Sequence, residues 1–535
     1  MNILKLPNEI LINVLVISGA AGVRSCARTN RTLRDIVVQS IELQYLLELE
    51  QAGLSDNPEC VLPIHERLEL LNRREDAWAT FKYDFRTTIS MPQQSSGLYD
   101  VSSGSLFLGL PEDIQDGEAL GIQYASIFSV QNERLVWRNV KVGMTVLEFV
   151  TSIREHDLIA LVVSYVVTPN SDNSRISNIS VVFIRYSTGE YHDIPKKHAF
   201  YICSFKESYG NPNIALEIVG DNMVCAVENP GRRDDDSLYI FKWKTGTQIF
   251  PVLTTHDVGI VFLREDIFFI SNSLFNSIDI YQIPNSSDDI VMRIRSLRLP
   301  ALKPGVFIEH FACRSEPNCR GDHQFIKNVS SSKPFYENPE NAIIIFSIDF
   351  GHHSFIMITH RRSLLDLALQ VLIPRDLRWE AWGPLISRWF NTHNHETEFI
   401  TITNGQRLLR YPRKGSSTYA PIRILDFNPY RIHLARGKRQ AKTKKSVFSL
   451  FHRAISFGSS ASSRVADLVD VNEKNICNAS GCFLTHIYST LPYVQCCSSE
   501  TFNYHALIMD DERIIGTWCE EDDCVGNKIE ALHMG

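Results

Sequence analysis

One short pattern recurs along this chain and constrains its fold more than any other feature. Phe183-Ile184-Arg185-Tyr186-Ser187-Thr188-Gly189 parallels Ile240-Phe241-Lys242-Trp243-Lys244-Thr245-Gly246, about 57 positions later. A third copy, Ile280-Tyr281-Gln282-Ile283-Pro284-Asn285, follows about 40 positions on. Upstream of each lies another apolar run: Leu158 to Val167, Met223 to Val227 and Ile267 to Ser271. Runs of this kind, rich in β-branched and aromatic residues and bounded by Gly, Pro, Asn and Ser, read as strands. A strand pair repeated at such a period cannot bury its apolar faces alone and must stack on its neighbours.

The unit of strand, loop, strand, aromatic and Thr-Gly turn resembles a propeller blade, without the Gly-His and Trp-Asp signature of WD repeats. Further pairs are expected at Ala342 to Phe350 with Phe355 to Thr359, at Phe399 to Thr403 with Gln406 to Tyr411, and at Ser480 to Ser489. The expectation is an irregular propeller of about seven blades, with one sandwich or a pair of them as the alternative. Some strand should close the ring across the chain ends, but no segment declares itself. Thr168 to Ser177, Pro230 to Asp236 and Ala435 to Arg464 read as loops or insertions, the last as a disordered one. It opens with the basic run Arg436-Gly437-Lys438-Arg439-Gln440-Ala441-Lys442-Thr443-Lys444-Lys445, which suits a nuclear signal or a solvated insertion.

The texture differs before about Arg86. Leu6-Pro7-Asn8-Glu9 opens a helix, with Pro7 at a first helical position and Glu9 near the positive end of the dipole. Gly19 and Gly22 should end it. Val23, Cys26 and Ala27 mark a second helix, and Leu33, Ile36 and Val37 a third. A fourth spans Ile41 to Ala52, with Ser40 as N-cap and Gly53 as its stop. So small a core gains from burying a face against a partner. Lys5, the run Ile10 to Ile17 and Ser18-Gly19-Ala20-Ala21 resemble a signal peptide. Pro7, Glu9 and Asn13 interrupt the segment, however, and Ile10, Leu11, Val14 and Leu15 have helical spacing. No run approaches the ~20 apolar residues of a membrane span.

Leu6-Pro7-Asn8-Glu9-Ile10-Leu11, Val14-Leu15 and Cys26-Ala27-Arg28-Thr29-Asn30-Arg31-Thr32-Leu33-Arg34 together resemble an F-box. More narrowly, they are similar to a large fungal group of F-box proteins with a C-terminal β-propeller-like domain. Leu43-Gln44-Tyr45, Ala52-Gly53 and the block from Glu66 to Trp78 fit that group. So do the distant Ile424-Leu425-Asp426-Phe427-Asn428-Pro429-Tyr430, Leu491-Pro492-Tyr493 and Met509-Asp510-Asp511-Glu512-Arg513-Ile514-Ile515. The resemblance implies that Leu6, Pro7, Ile10, Leu11, Val14 and Leu15 meet the Skp adaptor, with Val14 and Leu15 divided between interface and core. It departs at the third helix, where many F-boxes place Trp and this chain has Thr32-Leu33. A smaller residue there buries less area against the adaptor.

The resulting fold class is α+β multidomain: an F-box at 1–50, a helical linker at 51–85 and an all-β recognition domain at 86–535. The function implied is that of a substrate-recruiting adaptor of an SCF-type ubiquitin ligase, not an enzyme. Its partners would be the Skp adaptor, cullin ligase subunits and an unknown target, without a membrane or a cofactor. The alternatives are a non-ligase interaction scaffold and a secreted propeller hydrolase. A net charge of -7 argues against a general nucleic-acid binder. Twelve cysteines without framework spacing suit reduced thiols and a cytoplasmic or nuclear setting. The sequence carries no Gly-x-Ser-x-Gly, Walker A or His-Glu-x-x-His motif. His393-Asn394-His395-Glu396 lacks a third ligand for zinc, and His310, Cys313, Cys319 and His323 match no standard finger spacing. Asp510-Asp511-Glu512 and Glu520-Glu521-Asp522-Asp523 read as solvated acidic edges.

Overall fold

The computed structural model describes residues 3–91, 97–111, 119–127, 135–167, 175–229, 236–285, 290–321, 333–392, 400–411, 419–443, 467–469, 475–477, 481–517 and 528–535. Helices gather at the N-terminus: α1 (Asn8–Ile17), α2 (Gly19–Thr29), α3 (Arg31–Gln39), α4 (Ile41–Ala52) and α5 (Ile64–Thr80). Strands dominate the rest. Pro7 stands just before α1, one place earlier than expected, and its carbonyl accepts from the N–H groups of Ile10 and Leu11, both at 3.1 Å. Asn30 caps α3 by accepting from Thr32 (2.7 Å) and Leu33 (3.3 Å), and Ser40 caps α4 through the Leu43 N–H. Gly53 ends α4 with φ +76°. Gly19, with φ +70°, makes the break after α1 as expected, whereas Gly22 lies inside α2, where a Cβ would sit 2.5 Å from Ser18 Oγ.

From Phe85 on, the chain builds successive antiparallel meanders. The first two share the long strand Arg138–Ser152: its early residues pair with Ala119–Ser126 and its later ones with Leu158–Val167. Tyr99–Ser102 and Ser105–Pro111 complete the first meander, Ile176–Arg185 and Ala199–Lys206 the second; hydrogen bonding is continuous across all seven strands, whose two halves are called the first and second sheets below. The third joins Asn213–Val219, Asn222–Glu228, Ser237–Lys242 and Thr247–Thr254. The fourth joins Ile260–Arg264, Ile267–Asn272, Ser277–Gln282 and Met292–Arg298, with the parallel Asp376–Leu377 added. The fifth comprises His310–Arg314, Ile343–Asp349, Ser354–His360 and Ser387–Asn391. The sixth comprises Thr403–Asn404, Arg407–Arg410, Arg423–Asp426, Tyr493–Cys497 and Asp467–Val469. In the last sheet Ala506–Met509, Arg513–Thr517 and Lys528–His533 are joined by Phe85–Ser90, so a strand from the start of the β-body pairs with the chain's final strand.

One backbone hydrogen bond recurs in every one of these meanders. The N–H just past the third strand donates to the carbonyl just before the second. The pairs are Ile127 to Gly104 (2.8 Å), Tyr186 to Asp157 (2.7 Å), Trp243 to Asp221 (3.1 Å), Ile283 to Asp266 (2.8 Å), Arg361 to Ala342 (2.9 Å), Phe427 to Gln406 (2.9 Å) and Met534 to Glu512 (2.7 Å). Tyr186, Trp243 and Ile283 are the repeat positions of the sequence. Gly189 and Gly246, with φ of +79° and +73°, each donate 2.8 Å back to the residue four before, Arg185 and Lys242.

Both faces of these sheets are buried. Ile159, Leu161 and Val163 pack with the first sheet while Leu158, Ala160 and Val162 pack with the third. The same alternation splits Ile344 and Phe346, which meet the fourth sheet, from Ile343 and Ile345, which meet the sixth and last. A further cluster joins Val101, Leu106 and Leu108 of the first sheet to Ile508, Ile515 and Ile529 of the last. Each sheet therefore shares apolar clusters with the sheet before and the sheet after, whereas a two-layer sandwich gives each sheet one buried face.

Several sequence expectations need correction. Ile400–Ile402 form a helical turn, leaving only Thr403–Asn404 paired to Arg407–Arg410. Of Ser480 to Ser489, only Ile487–Ser489 is a named strand. The expected disordered insertion begins as a helix, Pro429–Thr443, which contains the basic residues as far as Thr443. Lys444 to Arg464 lie outside the described residues, as do Phe399, His393-Asn394-His395-Glu396, Arg232 to Asp235, His323 and Glu520 to Asp523. Ser177 belongs to a strand and not to a loop.

Candidate partner-docking surface

The helical unit has a core of its own, made by Leu11, Leu15, Val23, Ile36, Val37 and Leu43. The implied partner residues therefore divide by face. Leu11 and Leu15 point inward and are buried, so their direct work is internal packing. Leu6, Pro7, Ile10 and Val14 point outward. Ile10, 46% exposed, and Val14 are joined by Ile17 at 86%, and the spacing of four and then three places all three on one side of α1. Ile17 was not singled out in the sequence, although its periodicity marks it. Val38 and Ile41 add exposed aliphatics at the end of α3 and the start of α4.

The opposite side of the unit is tied to the β-body. Leu54–Asp56 pairs with Phe335–Glu337, and Trp78 of α5 and Phe81 just past its end enter the core shared by the fifth, sixth and last sheets. Around them lies a buried ion network. Glu75 takes Arg74 (2.6 Å), Arg407 (2.9 Å) and Arg431 (2.6 Å). Glu337 takes Arg74 and Arg407, and Arg407 also lies 5.0 Å from the Trp78 ring centroid. Burial disfavours charge on Glu75, but the three guanidiniums outweigh it and hold its carboxyl far below the ordinary range. Asn428 caps the helix Pro429–Thr443 and donates to the Gln51 carbonyl at 2.9 Å.

The acidic run Asp510-Asp511-Glu512 is not a solvated edge. Asp511 pairs with Arg154 (2.9 Å) and Lys333 (3.2 Å), Glu512 with Lys333 (2.9 Å), and Asp510 with Arg513 (2.8 Å). Arg154 and Lys333 lie far away in sequence, which hid the burial, whereas Arg513 is only three residues from Asp510. Beside this network a cavity of about 60 Å³ is lined by Arg154, Glu155, Glu316, Arg320, Asn404 and Asp511, among others. That holds a few waters and falls well short of the ~300 Å³ of a small-molecule site.

Of the residues weighed as zinc ligands and set aside in the sequence, the described members do not converge. His310 is exposed, Cys313 packs between the fourth and fifth sheets, and Cys319 lies between the third and fourth with its thiol on the Phe262 carbonyl at 3.2 Å. No group of three potential metal ligands occurs among the described residues. The described cysteines are free thiols, and no described helix is long and apolar enough to cross a membrane.

No protein-family model and no curated protein matches the sequence. Solved structures with some likeness include the WD40 domain of SCAP from fission yeast, at 10% identity over 84% of this chain and 98% of that one, TM-score 0.32. Another is KlAtg21 in complex with the coiled-coil of AgAtg16, at 8% identity, 62% and 79% coverage and TM-score 0.32. A third is a luciferin-regenerating enzyme, at 7% identity, 64% and 88% coverage and TM-score 0.24. Likeness at this level assigns neither family nor activity.

Proposed function

We propose that this chain is a substrate-recruiting adaptor of an SCF-type ubiquitin ligase. Its helical unit would act as an F-box that docks on a Skp-type adaptor through Leu6, Pro7, Ile10 and Val14, with Ile17 extending the contact and Leu11 and Leu15 bracing it from behind. The observation that carries this reading is the unpartnered aliphatic side of α1 on a unit whose other side is locked to a large β-body. Leu6, Ile10 and Val14 are each more than half covered already, so burying the remainder of each contributes at most ~1 kcal/mol to a complex.

The β-body is read as a seven-bladed propeller that presents the target. The recurrent hydrogen bond, the cluster shared by first and last sheets, and the closing strand Phe85–Ser90 support that architecture. The adaptor role requires no catalytic residue: it holds the target's lysines near a ubiquitin-loaded enzyme.

The test is co-expression of the full chain with a Skp-type adaptor, compared with Ile10→Asp/Val14→Asp. Both residues are exposed, so thermal unfolding should be unchanged while adaptor recovery collapses. Equal recovery from both chains sinks the proposal. Substitution is a cleaner test than deleting the first 55 residues, because deletion would strip packing partners from the α4–α5 joint.

A further inference from the structure

The fourth sheet clamps a loop that displays the most exposed aliphatic pair among the described residues. Val371 is 92% exposed and Leu372 99%, and Leu369 beside them is also exposed. The loop follows the helix Arg361–Leu369 and ends at the short strand Asp376–Leu377. Its backbone is held by one buried side chain, Arg295. The Arg295 guanidinium donates to the carbonyls of Leu367 (3.2 Å), Ala368 (3.4 Å), Gln370 (2.6 Å), Ile373 (3.0 Å) and Pro374 (2.6 Å). Just beyond, the Ser296 N–H donates to the Arg375 carbonyl at 2.8 Å, and Ser296 and Leu297 pair with Asp376 and Leu377.

Some of those carbonyls are the ones that any helix end leaves open. Satisfying them internally fixes the loop, while its two largest aliphatic side chains stay in water. A rigid apolar tip of this kind has lost its conformational freedom before any partner arrives, which favours binding. Exposed charges of both signs flank it along the chain: Arg375 and Arg378 against Asp366 and Asp376, with the half-exposed Arg293 3.8 Å from Asp376. An anionic lipid surface would select a basic surround. An apolar anchor inside a rim of both signs suits a protein interface.

We propose that Val371 and Leu372 form an anchor that inserts into an apolar cleft, rimmed by mixed charge, on a protein partner. Identifying this partner as the ubiquitylation target rests on the adaptor reading above; the docking itself does not.

The test uses the full chain carrying the photo-crosslinker p-benzoylphenylalanine at position 372 or, as a control, at the exposed Val61. Irradiation in cells of the source organism should give one discrete protein adduct from position 372 and none from position 61. Adding Val371→Asp should cut that adduct about tenfold without moving the melting temperature. Equal adducts from both positions, insensitivity to Val371→Asp, an adduct with a second copy of the chain, or capture only on anionic vesicles would each overturn the proposal. Ile10→Asp/Val14→Asp separates the two claims: it should keep the adduct while abolishing the partner's ubiquitylation. A persisting adduct with unchanged ubiquitylation would count against the adaptor reading alone.

Discussion

At the residue scale, buried charge governs how stability depends on pH. Glu217 sits on the first strand of the third sheet beside Asn318, with Arg314, Arg361, Glu316 and Asp100 acting on it. Burial pushes its carboxyl from an ordinary value of 4.5 up to about 8, and burial likewise raises Glu148 to about 7. Their contribution is full below pH ~4.5, where folded and unfolded chains are both protonated. Above that the unfolded chain releases a proton that the folded one keeps, so the contribution fades with rising pH and is gone above ~8. The urea midpoint should therefore fall between about pH 4.5 and 8, and Glu217→Gln should flatten that fall. Parallel curves would contradict the assignment. At the acid end Glu75 acts oppositely: its lowered carboxyl contributes stability that is lost as pH falls, because Arg74, Arg407 and Arg431 then keep only Glu337 and Asp426 as counter-charges.

At the element scale, the repeat was legible where side chains mark it and hidden where the backbone alone does the work. Tyr186, Trp243 and Ile283 pack as apolar residues and end a recognisable strand, so the three units stood out. Arg361 to Ala342 and Phe427 to Gln406 make the same bond with unrelated side chains, since a peptide N–H and carbonyl need no particular residue. The strand Phe85–Ser90 escaped notice for another reason: Phe85 pairs with His533, and nothing local in Phe85–Ser90 names so distant a partner. Gly121 illustrates a constraint visible only in three dimensions. A Cβ there would lie 2.1 Å from the Val140 carbonyl oxygen of the paired strand. Gly121→Ala should cost about 1–3 kcal/mol by forcing the first sheet's strands apart, measurable as a lower denaturation midpoint. A neutral outcome would mean that the sheet has slack there.

At the scale of the whole molecule, the segments that resemble the F-box group's distant landmarks come together. Asp426, Asn428, Tyr493 and Asp511 are spread over the last quarter of the sequence, yet all sit at the joint between the helices and the β-body: Asn428 on α4, Asp511 accepting from Arg74 of α5, and Asp426 beside Arg407 and Arg431. Tyr493 belongs to the cluster that receives Trp78. The resemblance was readable as a list of segments; what joins them is charge pairing between parts of the chain that sequence separates. Glu75 is the centre of that joint. Glu75→Gln should lower stability by about 1–3 kcal/mol, because Arg74, Arg407 and the partly exposed Arg431 each lose one carboxylate while Glu337 and Asp426 still pair with them. It should leave the outward side of α1 intact, so adaptor recovery from the folded fraction should persist.

Whether the outward side of α1 docks a Skp-type adaptor can be measured by calorimetric titration of the purified full chain with the purified adaptor. Saturable binding with a negative heat-capacity change, the mark of apolar burial, is expected. That binding should be lost in Ile10→Asp/Val14→Asp and retained in Leu372→Asp. No binding by the intact chain, or equal binding by the Ile10→Asp/Val14→Asp variant, would contradict that docking.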